Sequence, residues 1–110
     1  MAYNSAFSPF GATFLVGTSA VQVKSSNNVY PSGYRIMNIT NGIVRVGWSP
    51  QEPNDATVTP TATTPTAAGI ANVLSIPANG VGVFSCIPPN AWFITNTASS
   101  VEITPGEGIS

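Results

Sequence analysis

Apolar and polar residues alternate along most of this chain with a period of two, in short runs separated by turn residues. That is the mark of half-buried β-strands. Residues 12–16 are an apolar run that Gly17 breaks. In residues 20–24, Val21 and Val23 alternate with Gln22 and Lys24. Residues 25–33 (SSNNVYPSG) are loop chemistry. Strands are expected again at 34–40 and 43–48, then at 70–76, closed by Pro77-Ala78-Asn79-Gly80. They recur at 81–87, 91–97 and 100–104, and residues 105–110 (PGEGIS) read as a Gly-rich tail. The eight candidate strands recur every 8–12 residues or so, with no helical period and no internal repeat. This predicts an all-β chain folded as one antiparallel β-sandwich, jelly-roll-like in its strand count.

The strongest local signal is YRIMNITNGIVRVGW, residues 34–48. Asn41-Gly42 between two β-rich runs predicts a tight two-residue hairpin turn. That loop sets a register in which Ile39 faces Val44, Met37 faces Val46 and Arg35 faces Trp48. One face, with Met37, Ile39, Val44 and Val46, is then a core face. The other, with Ile36, Asn38, Thr40, Ile43 and Arg45, is left to solvent or a partner. Arg35 would lie over the Trp48 ring as a cation–π pair. Replacing Asn41-Gly42 by Ala-Ala is expected to cost roughly 1–3 kcal/mol if both residues need positive φ. The expected core also takes in Trp48, Val83, Phe84, Trp92, Ile94, Val101 and Ile103, although Val83 and Phe84 cannot face the same side. A buried Trp92 would make Trp92→Ala cost about 3–5 kcal/mol.

Two segments depart from this pattern. Residues 1–11 (MAYNSAFSPFG) have no basic region and no long apolar run, so they do not read as a signal peptide. They read as an extended N-terminal arm with Tyr3, Phe7 and Phe10 as aromatic anchors; packing back on the parent domain is the alternative. Residues 49–69 are rich in Thr, Pro and Ala. Pro50, Pro53, Pro60 and Pro65 forbid a continuous central strand there and leave room only for a short edge strand near 56–59. The domain reading is therefore an arm over 1–11 and one β-sandwich over 12–110, with the 49–69 loop inside it.

Composition changes the functional picture. Of 110 residues only 6% are charged, with Lys plus Arg 3, Asp plus Glu 4, no His and a net charge of −1. Ordinary soluble domains carry about 25% charged residues. Three cations leave no electrostatic footprint for nucleic acid and no basic patch for an anionic membrane. No apolar run approaches the ~20 residues that cross a bilayer. A surface so poor in charge is suited to contact with other protein copies, and the expectation is a homo-oligomer or lattice-bound subunit, which has less need of a charged coat. A monomer coated with Thr, Ser and Asn is the alternative.

The same counts thin out the chemistry. Without His, Ser-His-Asp and Cys-His arrangements are excluded, and one Cys with no His builds no common zinc site. Lys24 has no serine placed beside it. Glu52 and Asp55 fall in the Pro-rich loop and Glu107 in the tail, where catalytic groups are poorly held. Glu102, between Val101 and Ile103, points away from the core. Cys86 reads as a small buried hydrophobe. Gly80-Val81-Gly82 lacks the spacing and the Lys of a phosphate loop. Asn38-Ile39-Thr40 is a formal glycosylation sequon inside a strand. No catalytic, cofactor or metal residue is named.

The hairpin, with Arg35, Ile36, Asn38, Val44, Arg45, Val46 and Gly47, and the C-terminal Val101, Ile103, Thr104, Gly106, Glu107 and Gly108, resemble a class of small virion proteins of tailed bacteriophages. The resemblance spans residues 34–108. It implies a virion structural role without cofactors, either decorating and cementing the capsid or sitting at the neck or tail. Other virion proteins would be the partners, with Tyr3, Phe7, Phe10, Pro60 and Pro65 as interface candidates. A carbohydrate-binding β-sandwich using Trp48, Trp92 and Tyr34 is the competing class, and an enzyme the third.

Overall fold

A computed structural model describes residues 7–9, 11–25, 33–49, 60, 62–69, 71–85, 87 and 90–108. Nine strands and no helix are found among them. They are β1 (Phe7–Pro9), β2 (Phe14–Val16), β3 (Val21–Gln22), β4 (Gly33–Asn38), β5 (Val44–Ser49), β6 (Val73–Ile76), β7 (Val81–Phe84), β8 (Trp92–Thr95) and β9 (Val101–Gly108). The first sheet has the order β1-β9-β4-β7, with β2 sharing the β1 edge of β9. The second has the order β3-β8-β5-β6. Every pairing is antiparallel, and the two sheets enclose one core as a β-sandwich. All eight expected strands are present as β2 to β9.

The expected hairpin is not formed. β4 and β5 lie in different sheets: β4 pairs with β7 and β9, and β5 with β6 and β8. Residues 39–43 are a corner that carries the chain from one sheet to the other. Its centre is the buried side chain of Asn38. Asn38 Nδ2 donates to Gly42 O at 2.8 Å, and to Ile76 O and Pro77 O at 3.0 Å each. Asn38 Oδ1 accepts from Thr40 N and Thr40 Oγ1, both at 2.8 Å. The Asn38 backbone N–H donates to Gly80 O at 2.8 Å and that of Ile39 to Ser100 O at 3.0 Å. A hairpin would have to break these bonds to the end of β6 and the turns beyond it. Neither Asn41 nor Gly42 has positive φ. Gly42 is exposed, and a Cβ built on it meets nothing within 4 Å. The cost expected for Ala-Ala therefore falls away. Gly42→Ala should change stability by no more than about 0.5 kcal/mol, as exposed surface changes do; a thermal melt checks this.

Because β4 does not pair with β5, its faces are the reverse of those expected. Tyr34, Ile36 and Asn38 are fully buried, while Met37 and Arg35 are only half-buried and Ile39 is exposed. The cation–π pair of Arg35 and Trp48 is likewise absent, since the two residues belong to different sheets. In β8 the inward residues are Phe93 and Thr95, and Ala91 just before it is buried as well; Trp92 and Ile94 are half-buried. Both parities of residues 91–95 are largely apolar, so period two alone could not choose a face. Where one parity was polar the reading holds: Val101 and Ile103 are buried with Glu102 exposed, and Val44 and Val46 are buried. Phe84 lies opposite core Tyr34, and Val83 opposite Arg35.

Tyr34 of the first sheet meets Phe93 of the second edge-on, with ring centroids 5.0 Å apart and planes at 68°, the arrangement aromatic pairs prefer. The Ala91 N–H donates to Tyr34 Oη at 3.2 Å. Burial raises the Tyr34 phenol above the usual tyrosine value, only partly offset by backbone hydrogen bonds from Ala91 and Asn90. A raised folded-state value means that the native state holds this proton more tightly than the unfolded chain. Its contribution is complete below the unfolded value of about 10 and is lost as pH rises through the higher folded value. Denaturant titrations should show a fall in stability above that pH, which Tyr34→Phe reduces.

The expected Gly-rich tail is also corrected, as β9 continues to Gly108. Pro105 lies between the stretches of β9 that pair with β2 (101–103) and β1 (106–108). A residue with no N–H is tolerated at such a gap. Gly33 faces Gly106, and a Cβ on Gly33 would sit 3.0 Å from Phe84 O, so this end of the ladder admits little beyond glycine.

Candidate functional site

The candidate surface is the outer face of the first sheet. Cross-strand partners project to one side of a sheet. Leu15 is opposite Glu102, Glu102 opposite Met37, and Met37 opposite Val81. These four form one row across β2, β9, β4 and β7, with Leu15 54% and Val81 50% exposed. The neighbouring row contains Thr104, Arg35 and Val83, and Thr13 Oγ1 lies 2.7 Å from Thr104 Oγ1. Ile39 and Ile43, 42% and 60% exposed, stand on the corner beyond β4. Single exposed hydrophobics are ordinary, but several on one face, here interrupted by the exposed Glu102, mark a contact surface. Sequence reasoning missed Leu15 and Val81. The available signal was that Leu15 lies between apolar Phe14 and Val16, one apolar residue more than a single buried face requires.

A second feature is an apolar cleft of about 390 Å³ lined by Trp48, Leu74, Val83, Phe84, Ser85 and Ile87. Its lining comes from β5, from β6 and β7, each the last strand of its sheet, and from the residues just after β7. Its size is within the range of ligand pockets. Among the described residues lining it, only Ser85 and the Trp48 indole carry a polar side-chain group, so it suits an apolar side chain better than a reacting polar substrate.

The interface candidates fare unevenly. Tyr3 and Phe10 lie outside the described residues, as do Glu52, Asp55, Cys86 and residues 56–59. Phe7 is buried within β1, which pairs with β9 of the same chain. Pro60 is buried and Pro65 is exposed. Thus, of the described aromatic and proline candidates, Pro65 alone is on the surface. The turn pair Asn41 and Gly42 is on the surface too, at the corner and not in a hairpin.

Other chemistry is spread apart. Glu102 and Glu107 are both exposed, and their odd spacing along β9 turns them to opposite faces. No group of three His, Cys, Asp or Glu that could hold a metal occurs among the described residues. Asn38 of the sequon has both ends of its amide engaged and is buried. Tyr34, one of three rings considered for stacking on sugars, is buried between the sheets. Trp48 lines the cleft, and the Trp92 indole N–H is shielded from solvent and meets no acceptor among the described residues.

No protein-family model, curated protein or solved structure significantly matches the chain. Among the described residues, no helix is long and apolar enough to cross a membrane.

Proposed function

We propose that this chain is a non-enzymatic structural subunit of a bacteriophage particle, a decoration or cement protein that docks to the shell. The observation that carries the reading is the outer-face row Leu15–Glu102–Met37–Val81, apolar apart from Glu102 and exposed at Leu15 and Val81, on a protein with 6% charged residues. Such a face is better matched to a protein neighbour than to water. The strand order adds support. With β2-β9-β4-β7 against β3-β8-β5-β6, and with the chain changing sheet at every connection from β2 to β9 except that between β5 and β6, we read the sandwich as a jelly roll. Viral capsid domains and lectins both use that architecture. The resemblance to small phage virion proteins favours the first of the two. Neck or tail attachment is the alternative position for the same subunit.

Gradient fractionation of virions from cells expressing the chain tests the proposal. The protein should co-sediment with particles, with a copy number on the order of the capsid lattice for a cement protein or a few per particle for a neck or tail protein. A Leu15→Lys, Val81→Lys double variant with an unchanged melt should be lost from the particle fractions. A wild-type chain that stays in the soluble fractions overturns the proposal.

A further inference from the structure

The chain contains two Asn-Gly pairs, Asn41-Gly42 and Asn79-Gly80, and the fold treats them differently. We propose that Asn41 is a site of spontaneous deamidation in the native protein and that Asn79 is protected. In this reaction the deprotonated backbone nitrogen of the following residue attacks the asparagine Cγ. A C–N bond forms, and the side-chain nitrogen leaves as ammonia. Water then opens the five-membered imide at one carbonyl to give aspartate, or at the other to give isoaspartate. Solvent water and base are the only co-reactants, and nothing is oxidised or reduced.

The step needs a following residue whose nitrogen is unhindered and free to lose its proton. Gly42 is exposed, with nothing within 4 Å of where a Cβ would stand. Its N–H has only a long 3.4 Å contact, to the Thr40 hydroxyl. The Asn41 side chain is exposed and hydrogen-bonds to no described residue. The second pair sits in a closed turn. The Gly80 N–H donates to Pro77 O at 2.8 Å. The Cβ position of Gly80 is 2.7 Å from Pro77 Cγ and 2.9 Å from Pro77 O. Asn79 is held at φ 56°, and its N–H donates to Thr40 O at 3.1 Å. Attack there must first open the turn.

The consequence is local. Gly42 O accepts from the buried Asn38 amide. Isoaspartate at position 41 would lengthen the backbone next to that acceptor and add a negative charge to a chain of net charge −1.

The test is to incubate the folded, full-length protein in warm, mildly alkaline buffer and follow both sites by peptide mass spectrometry, with an isoaspartate-specific methyltransferase as a second readout. The 41–42 site should gain one mass unit about tenfold faster than the 79–80 site, the ratio set by about 1.4 kcal/mol of barrier. In denaturant the two rates should converge. Gly42→Ala, which leaves the fold in place, should suppress the reaction at Asn41. The proposal is overturned by equal rates in the folded protein, by Asn79 reacting first, or by an intact Asn41 over the time in which the denatured chain converts.

Discussion

Asn38→Ala should destabilise the protein by about 3–5 kcal/mol. Asn38 is fully buried and ties residues Thr40, Gly42, Ile76 and Pro77 together. A typical hydrogen bond contributes about 1 kcal/mol net, and a buried acceptor left without its donor costs about 1–3 kcal/mol. The contact with Ile76 O is fully buried, and removing the amide takes away its links to Thr40, Gly42, Ile76 and Pro77 together. In a domain whose whole stability is about 5–15 kcal/mol, the loss is a large share. Asn38→Asp separates hydrogen bonding from shape. It keeps an acceptor for Thr40 but aims a carboxylate at three carbonyls, and burial raises its pKa. Its native state then binds a proton more readily than the unfolded chain, so the variant should regain stability as pH falls. Denaturant titrations at neutral and acidic pH check both variants. An Asn38→Ala loss below 1 kcal/mol would mean that the corner is held by something other than this amide.

Phe93→Ala should cost a similar 3–5 kcal/mol, the usual range for a buried phenylalanine. Phe93 is fully buried in β8, sits opposite Val21 and Trp48 in its own sheet and meets the Tyr34 ring of the other. Removing it opens a cavity where the sheets join. At about 5 °C per kcal/mol for a domain near this size, the midpoint should fall by roughly 15–25 °C. Its neighbour Trp92 is half-buried on the outer face. The smaller area it hides makes Trp92→Ala cost about 1–2 kcal/mol, less than the sequence-based expectation. The two melts compared decide which face of β8 is the core: a Trp92→Ala loss exceeding that of Phe93→Ala would reverse the assignment made here.

How far the candidate surface was legible follows from the same residues. Glu102 was readable as outward-facing because Val101 and Ile103 flank it. Leu15 and Val81 were not readable as a pair, since they are far apart in sequence and meet in one row only through β9 and β4. Phe7 looked like a free anchor because residues 1–11 have no alternation; its burial depends on the end of β9, about a hundred residues away.

By itself the sequence determined that the chain is all-β, where its eight main strands lie and which turns separate them. These are local matters: the period of the side chains and the backbone preferences of Gly, Pro and Asn act over a few residues. It also excluded His-based chemistry, by counting alone. Only the tertiary structure decided which strands pair, and hence which face of β4 and of β8 is buried. Asn41-Gly42 is compatible with a hairpin and with a corner, and the bonds that select the corner run from Asn38 to carbonyls 38 and 39 residues further on. A pattern with period two states that a strand has two faces. The identity of the inner one is set by what the opposite sheet presents, which is a long-range property of the whole chain.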